Sequence, residues 1–299
     1  MAKVQKTILS TADVARLFKV TETTVKRWAD EGNLKCQKTP GGHRKFEMRN
    51  VVEFARDSNF DPLGALALLD DAHFSTAVQV AVLTRDFPTL VVAFVERALS
   101  PERTDLYALL SYLYEHKIHL WEIYDLVVRP GMAEIGERWA RGEIGINHEH
   151  RASHETLEAL SRLQAQIFIK PPTGNTVLCA CVGEEKHEIG LRCAAYLFDS
   201  EGWRVHYLGA ETPHQAVVAS IRELHPTIVC LSITRPDPDL DAALGDIVDA
   251  ARAAGARVIA GGFGASRTGR GKELLDGIMH SSSEVLEFIA QAGFRGAKT

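Results

Sequence analysis

The sequence predicts a multidomain chain: an all-α winged helix-turn-helix head, a four-helix bundle, and a doubly wound α/β domain built on a five-stranded parallel sheet. Three observations lead there. The 299 residues exceed what one hydrophobic core usually organises. The apolar texture changes twice, from short basic helices to long helical periodicities near residue 75, and near residue 175 to short apolar runs alternating with amphipathic helices. Polar segments rich in Pro, Gly and Asn mark both transitions, Asp57 onward and Lys170-Pro-Pro-Thr-Gly-Asn175. The expected domains are 1–60, 75–169 and 175–297.

Composition bounds the class. Apolar residues make up 45% and charged residues 24%, ordinary for a globular protein, and no stretch approaches the roughly 18 apolar residues of a membrane span. The segment Met1 to Lys6 lacks the apolar run of a secretory signal, so a cytoplasmic location is expected, with no membrane partner. Five cysteines, an odd number in mostly apolar contexts, favour reduced thiols, and Cys179-x-Cys181 is not a zinc spacing. Residues 1–60 hold twelve Lys or Arg against seven Asp or Glu, a balance of +5 that leaves −10 for the rest of a chain with net charge −5. A basic head on an acidic body points to a polyanion partner for the head.

In the head, Thr11 to Phe18 has the spacing of a short helix capped by Ser10 or Thr11, followed by the turn Lys19-Val20-Thr21 and a second helix, Glu22 to Asp30, stopped near Gly32. The basic segment Lys35 to Lys45 carries Pro40-Gly41-Gly42 as a hairpin signal, and Val51 to Ala55 is helical again. On the second helix Thr23, Thr24, Lys26 and Arg27 are polar residues able to reach base edges and phosphates, while Val25 faces the core and Trp28 packs. His43, Arg44 and Lys45 project from the wing towards a DNA backbone or minor groove. The segment 7–56, down to Gly-Gly-His-Arg-Lys-Phe, resembles the winged helix-turn-helix of MerR-type regulators, which implies double-stranded operator DNA as partner.

From 75 to 168 apolar residues recur at helical spacing through Leu90 to Val95 and Leu106 to Leu113, punctuated by Pro88, Pro101, Pro130 and Gly142. From 176, five apolar runs are read as strands: Thr176 to Val182, Trp203 to Leu208, Thr227 to Ile233, Arg257 to Ala260 and Gly277 to His280. The helices are expected at about 187–201, 214–224, 239–254, 267–276 and 283–292. A ligand of such a sheet sits beyond the carboxyl ends of its strands.

The informative residues fall on those ends. Glu185-Lys186-His187-Glu188-Ile189-Gly190 follows the first strand, 41 residues intervene before Ser232-Ile233-Thr234, and 26 more before Gly261-Gly262. An imidazole is a good cobalt ligand, Glu185 is placed to hold its second nitrogen, and Gly190 permits close backbone approach. Small residues on the neighbouring loops leave a slot for a slender ligand tail. The spacing resembles the cobalamin-binding domain shared by methionine synthase and adenosylcobalamin-dependent mutases. That resemblance implies that His187 is the lower axial ligand of cobalt, and that Ser232, Thr234, Gly261 and Gly262 line the slot for the displaced base.

In the bundle, Trp139 is followed after nine residues by Glu149-His150. With the head and the last domain, this pattern resembles the CarH and LitR photoreceptors, cobalamin-binding regulators of the MerR family. The resemblance implies adenosylcobalamin as chromophore, Trp139 over its upper face with Glu149 and His150 nearby, repression, and a dimer or tetramer whose assembly on DNA is undone by light. The chain departs from that pattern at Ala140, where the photoreceptors carry a His that takes the upper cobalt position after illumination. His148, His150, His154 or water remain alternatives for that role, and the smaller residue leaves room for a linear bilin beside the cobalamin. A light-independent cobalamin sensor and a corrinoid-dependent methyl carrier are the other readings. No nucleophile-base pair or proton relay argues for an enzyme.

Overall fold

The computed structural model describes residues 8–58, 74–101, 106–234, 240–267 and 273–293. The chain forms two compact units, residues 1–93 and 94–299. The predicted linker at 57–74 lies mostly outside the described residues.

In the first unit, β1 (Ile8–Ser10) leads into α1 (Thr11–Phe18), α2 (Glu22–Asp30), β2 (Gln37–Lys38), β3 (Arg44–Glu47) and α3 (Met48–Asp57). Ser10 is the cap: its hydroxyl accepts from the Asp13 amide at 3.2 Å, and the Asp13 carboxylate accepts the Ser10 amide at 2.8 Å. Lys19 turns the chain in the left-handed region (φ 52°), and Thr21 caps α2. The apolar faces close on a core of Val14, Leu17, Phe18, Val25, Leu34, Phe46 and Val51. Trp28 packs as expected, its ring centroid 5.6 Å from Phe18 and 4.9 Å from Phe54. The head read as all-α also carries a three-stranded antiparallel sheet, ordered β1-β3-β2. Strands β2 and β3 form the hairpin that Pro40-Gly41-Gly42 signals, whereas strands of two to four residues are too short to leave an alternation of their own. Helix α4 (Thr76–Thr84) belongs to this unit and places Val80 and Leu83 against the same core.

Helix α5 (Phe87–Leu99) contains the division between the units. The second unit continues with α6 (Leu106–Glu115), then α7 (Leu120–Ile123), which runs through a π-helical turn (Tyr124–Val128) into α8 (Arg129–Ala140), and α9 (Ile146–Gln164). Pro130 lacks the amide that a regular helix needs at that point, so the register slips there. Gly131 lies against the Phe94 ring so closely that no Cβ would fit.

The α/β part follows as β4 (Thr176–Val182), α10 (Ile189–Ser200), β5 (Arg204–Thr212), α11 (His214–Leu224), β6 (Ile228–Ser232), α12 (Leu240–Ala253), β7 (Arg257–Gly261), β8 (Gly277–Met279) and α13 (Ser282–Gly293). The sheet is parallel, ordered β5-β4-β6-β7-β8. Strand order reverses between β4 and β6, which opens a crevice at their carboxyl ends. Buried on both faces, β4 and β6 are apolar except for Thr176 at the start of one and Ser232 at the end of the other, Thr-Val-Leu-Cys-Ala-Cys-Val and Ile-Val-Cys-Leu-Ser, as central parallel strands are.

Two elements differ from expectation. Strand β5 runs to Thr212 rather than Leu208, because register shifts opposite Cys179 and Ala180, with Gly209 and Glu211 at positive φ, carry the pairing past the Gly. The helix expected at 267–276 falls partly outside the described residues. Among the described ones only a 3₁₀ turn, Ala265–Arg267, appears where it would start. Bundle and α/β domain pack through α9 on α10 and through α7 on α13.

Candidate functional site

The crevice between β4 and β6 is built by hydrogen bonds that converge on Glu185. Its carboxylate is 6% exposed, while the His187 side chain is 62% exposed. One oxygen accepts the His187 amide at 2.8 Å and lies 2.7 Å from His187 Nδ1. The other accepts the Thr234 amide at 2.6 Å and the Thr234 hydroxyl in a very short contact, and that hydroxyl lies 3.1 Å from Nδ1. Burial pushes the Glu185 carboxyl up, but the bonds from Thr234 and His187 outweigh it and hold the group below its usual range. A lowered carboxylate contributes stability above its unfolded value and loses it only as pH falls through the folded one, so this support persists into acid. The consequence for His187 is orientation: with Nδ1–H directed at Glu185, the Nε2 lone pair points outward, as a metal-ligating imidazole requires.

The loop is fixed from below as well. Ser232 Oγ donates to the His187 carbonyl at 3.3 Å, and Cys181 Sγ approaches it at 3.9 Å. Burial pushes the Cys181 thiol up to about 12, so it stays a thiol. All five cysteines are free. Gly261 pairs with Ser232 across β6 and β7, and Gly262 adopts φ +99° with the Ile233 backbone against its α-carbon. A Cβ at Gly262 would overlap the Ile233 carbonyl, whereas one at Gly190 would meet nothing within 4 Å. Glu185, His187, Ser232 and Thr234 therefore form one hydrogen-bonded cluster, with Gly261 and Gly262 on the adjoining strand end.

Sequence reading missed the support beside His187. Tyr207 Oη donates to Glu188 at 2.8 Å, Arg192 donates to the same oxygen at 3.1 Å, and the guanidinium lies 3.6 Å over the Tyr207 ring. The i,i+4 spacing of Glu188 and Arg192 was the available signal.

These residues fit cobalamin. His187 offers one outward nitrogen, and the neighbouring strand ends carry no side-chain bulk at Gly262. Among the described residues no group of three or more His, Cys, Asp or Glu could hold a metal ion.

In the bundle, Trp139 is the penultimate residue of α8, with 47% of its surface exposed. Glu149 and His150 open α9. Glu149 accepts from Ser153 at 2.8 Å and lies 3.6 Å from His150 Nε2, and His150 is largely exposed.

In the head, Thr23, Lys26 and Arg27 are exposed on α2 and His43 and Lys45 on the wing. Thr24 is half-buried and belongs to the cap of α2, its amide donating to Thr21 Oγ1 at 3.2 Å. Lys26 and Arg27 make only loose pairs, 3.7 Å to Glu22 and 4.0 Å to Glu31, which a phosphate can replace at little cost. Arg44 is different. Its side chain is 16% exposed and grips Asp30 through both oxygens, at 2.6 and 2.8 Å, tying the wing to the end of α2. Arg27→Ala is expected to lower operator affinity and reduce the salt slope by about one, and Arg44→Ala to loosen the wing and lower the melting temperature as well. Binding at several salt concentrations together with thermal melts checks both; an unchanged slope for Arg27→Ala removes it from the interface.

Comparison with known proteins follows the same division. Residues 8–58 match a helix-turn-helix domain family, 175–287 a B12 binding domain, and 89–164 a second B12 binding domain that includes Trp139, Glu149 and His150. The chain is 34% identical over 110 residues to the HTH-type transcriptional repressor CarH of Myxococcus xanthus, 36% of each chain. It is 33% identical over 138 residues to the repressor CarA of the same organism, 46% of this chain and 45% of that one. The chain thus matches less than half the length of these relatives. The monomethylamine corrinoid protein of Methanosarcina barkeri shares the fold, with a TM-score of 0.51 and 15% identity over 68% of this chain and 95% of that chain.

Proposed function

We propose, for a chain related to the CarH-type cobalamin-binding transcriptional regulators, that it is a light-responsive repressor with adenosylcobalamin as its chromophore. The observation that carries the reading is the imidazole of His187, held at Nδ1 by a buried carboxylate and presented through Nε2, in the same chain as a basic winged helix-turn-helix. Bound cobalamin would supply a light-sensitive bond between cobalt and its upper ligand.

The chain's own residues do the rest. His187 would ligate the cobalt, with Glu185 and Thr234 fixing its tautomer, and Ser232, Gly261 and Gly262 would make room for the rest of the cofactor. Trp139, with Glu149 and His150, would cover the cofactor from the bundle and respond to the presence of the adenosyl group. Thr23, Thr24, Lys26 and Arg27 read the operator from α2, and His43 and Lys45 contact its backbone from the wing that Arg44 anchors. Homo-oligomers in the dark give multivalent grip on operator DNA, and losing the oligomer loses that grip. The protein works in the cytoplasm as a regulator and not as an enzyme.

Ala140 supports one variation. It is exposed beside Trp139, where the photoreceptors carry a His, and its smaller side chain would leave room for a bilin alongside cobalamin. A far-red absorption band in the purified protein would favour that, and a purely cobalamin spectrum would exclude it. Operator binding, measured by gel shift with adenosylcobalamin in darkness and after green light, tests the main reading. Affinity is expected to fall at least tenfold on illumination. Cobalamin-dependent binding that ignores light would leave a cobalamin sensor, and methyl transfer from methylcobalamin to a thiol would favour a methyl carrier.

A further inference from the structure

One of the contacts between bundle and α/β domain, where the chain after α7 meets the start of α13, has unusually specific chemistry. The π-helical turn between α7 and α8 brings the buried Asp125 carboxylate to the start of α13. Both its oxygens lie 2.9 Å from the Ser282 amide, and Oδ2 also accepts the Ser283 amide at 3.4 Å. A bundle carboxylate thus caps a helix of the other domain, where unpaired amides and the helix dipole favour negative charge. One turn later Arg129 donates to the His280 carbonyl at 2.6 Å, on the segment leading into α13. Two bundle residues four apart therefore grip α13 and its entry.

The turn explains the aim. A π turn adds a residue to the helical circuit, which rotates side chains away from where a regular helix would point them. Pro130, directly after Arg129, removes one amide from the ladder. Helix α8 starts at Arg129, and Trp139 lies ten residues along it, about 15 Å at the rise of an α-helix. A rigid rod held at its first turn transmits any rotation there to its far end.

We propose that Asp125 and Arg129 are positioning residues forming a pivot that sets the register of α8, and hence of Trp139, against the cobalamin-binding domain. The proposal rests on the reading of Trp139 as the cobalamin cap only in its consequence, because the pivot itself can be tested without cofactor.

The experiment uses the full chain with Asp125→Ala and Asp125→Asn. Amide hydrogen exchange of Ser282 and Ser283, without cobalamin, is expected to accelerate on the order of tenfold in Asp125→Ala and less in Asp125→Asn, which keeps one acceptor oxygen. Should the alanine variant fail to fold, the asparagine variant carries the same comparison. On adding cobalamin, the Trp139 share of fluorescence quenching, isolated with Trp139→Phe, is expected to shrink in both variants, while the His187-dependent absorption spectrum stays unchanged. Unchanged exchange at Ser282 and Ser283 would overturn the pivot, as would accelerated exchange with full Trp139 quenching. Absence of Trp139 quenching in the unaltered chain would instead withdraw the cap reading, with the exchange rates still deciding the pivot.

Discussion

Replacing His187 with Ala is expected to lower cobalamin affinity on the order of 100-fold, and to leave whatever binds with its lower face occupied by its own base or by water. The size follows from the site. Loss of a residue that merely orients a metal ligand typically costs 10- to 100-fold, and His187 is the candidate ligand itself. It also leaves the Glu185 carboxylate, 6% exposed, without its imidazole partner while Thr234 still holds it. Titration followed by absorption checks this, with the spectrum at low pH distinguishing imidazole from the cofactor's own base. Identical spectra and affinity for His187→Ala and the unaltered chain would mean that His187 does not ligate. Operator binding in the absence of cobalamin should not respond to the substitution, since His187 lies outside the head.

Gly262→Ala is expected to destabilise the α/β domain by about 1–3 kcal/mol and to weaken cobalamin binding with it. Two independent costs arise at one position. The backbone sits at φ +99°, where an L side chain is strained, and the added Cβ would lie 2.8 Å from the Ile233 carbonyl carbon. Relief requires β6 and β7 to separate at the ends that line the slot. Gly190→Ala supplies the contrast. It lies in the first turn of α10 with open space around a Cβ, so melting should be unchanged or slightly improved. A loss of cobalamin affinity there without a loss of stability would mean that the ligand approaches that backbone. Thermal melts and cobalamin titrations of both variants decide the matter, and equal melting temperatures for Gly262→Ala and the unaltered chain would defeat the strain argument.

Much of the fold is legible before any coordinates. Helix α2 occupies Glu22–Asp30 as its cap and apolar spacing require, and β4 and β6 show as apolar runs because strands buried on both faces have no polar face to display. Strand β5 was under-read because its final residues follow a glycine and a bulge, and pairing through such a break depends on the neighbouring strand. In the head the hairpin of β2 and β3 shows through its Pro40-Gly41-Gly42 turn, whereas the three residues of β1 are too few to show a period.

The site divides in the same way. The sequence alone determined which residue types stand at the carboxyl ends of the strands and at what spacing: Glu185, His187, Ser232, Thr234 and the Gly261-Gly262 pair. Loop position in a parallel sheet follows from the order of local elements. Only the tertiary structure decided that one buried carboxylate serves both His187 and Thr234, that Arg44 of the wing pairs with Asp30 of α2, and that Asp125 caps a helix 157 residues away. The physical reason is common to all three. Each is a pairing between groups distant along the chain, whose partners are chosen by packing and by the cost of leaving a buried polar group unsatisfied, and neither quantity is local.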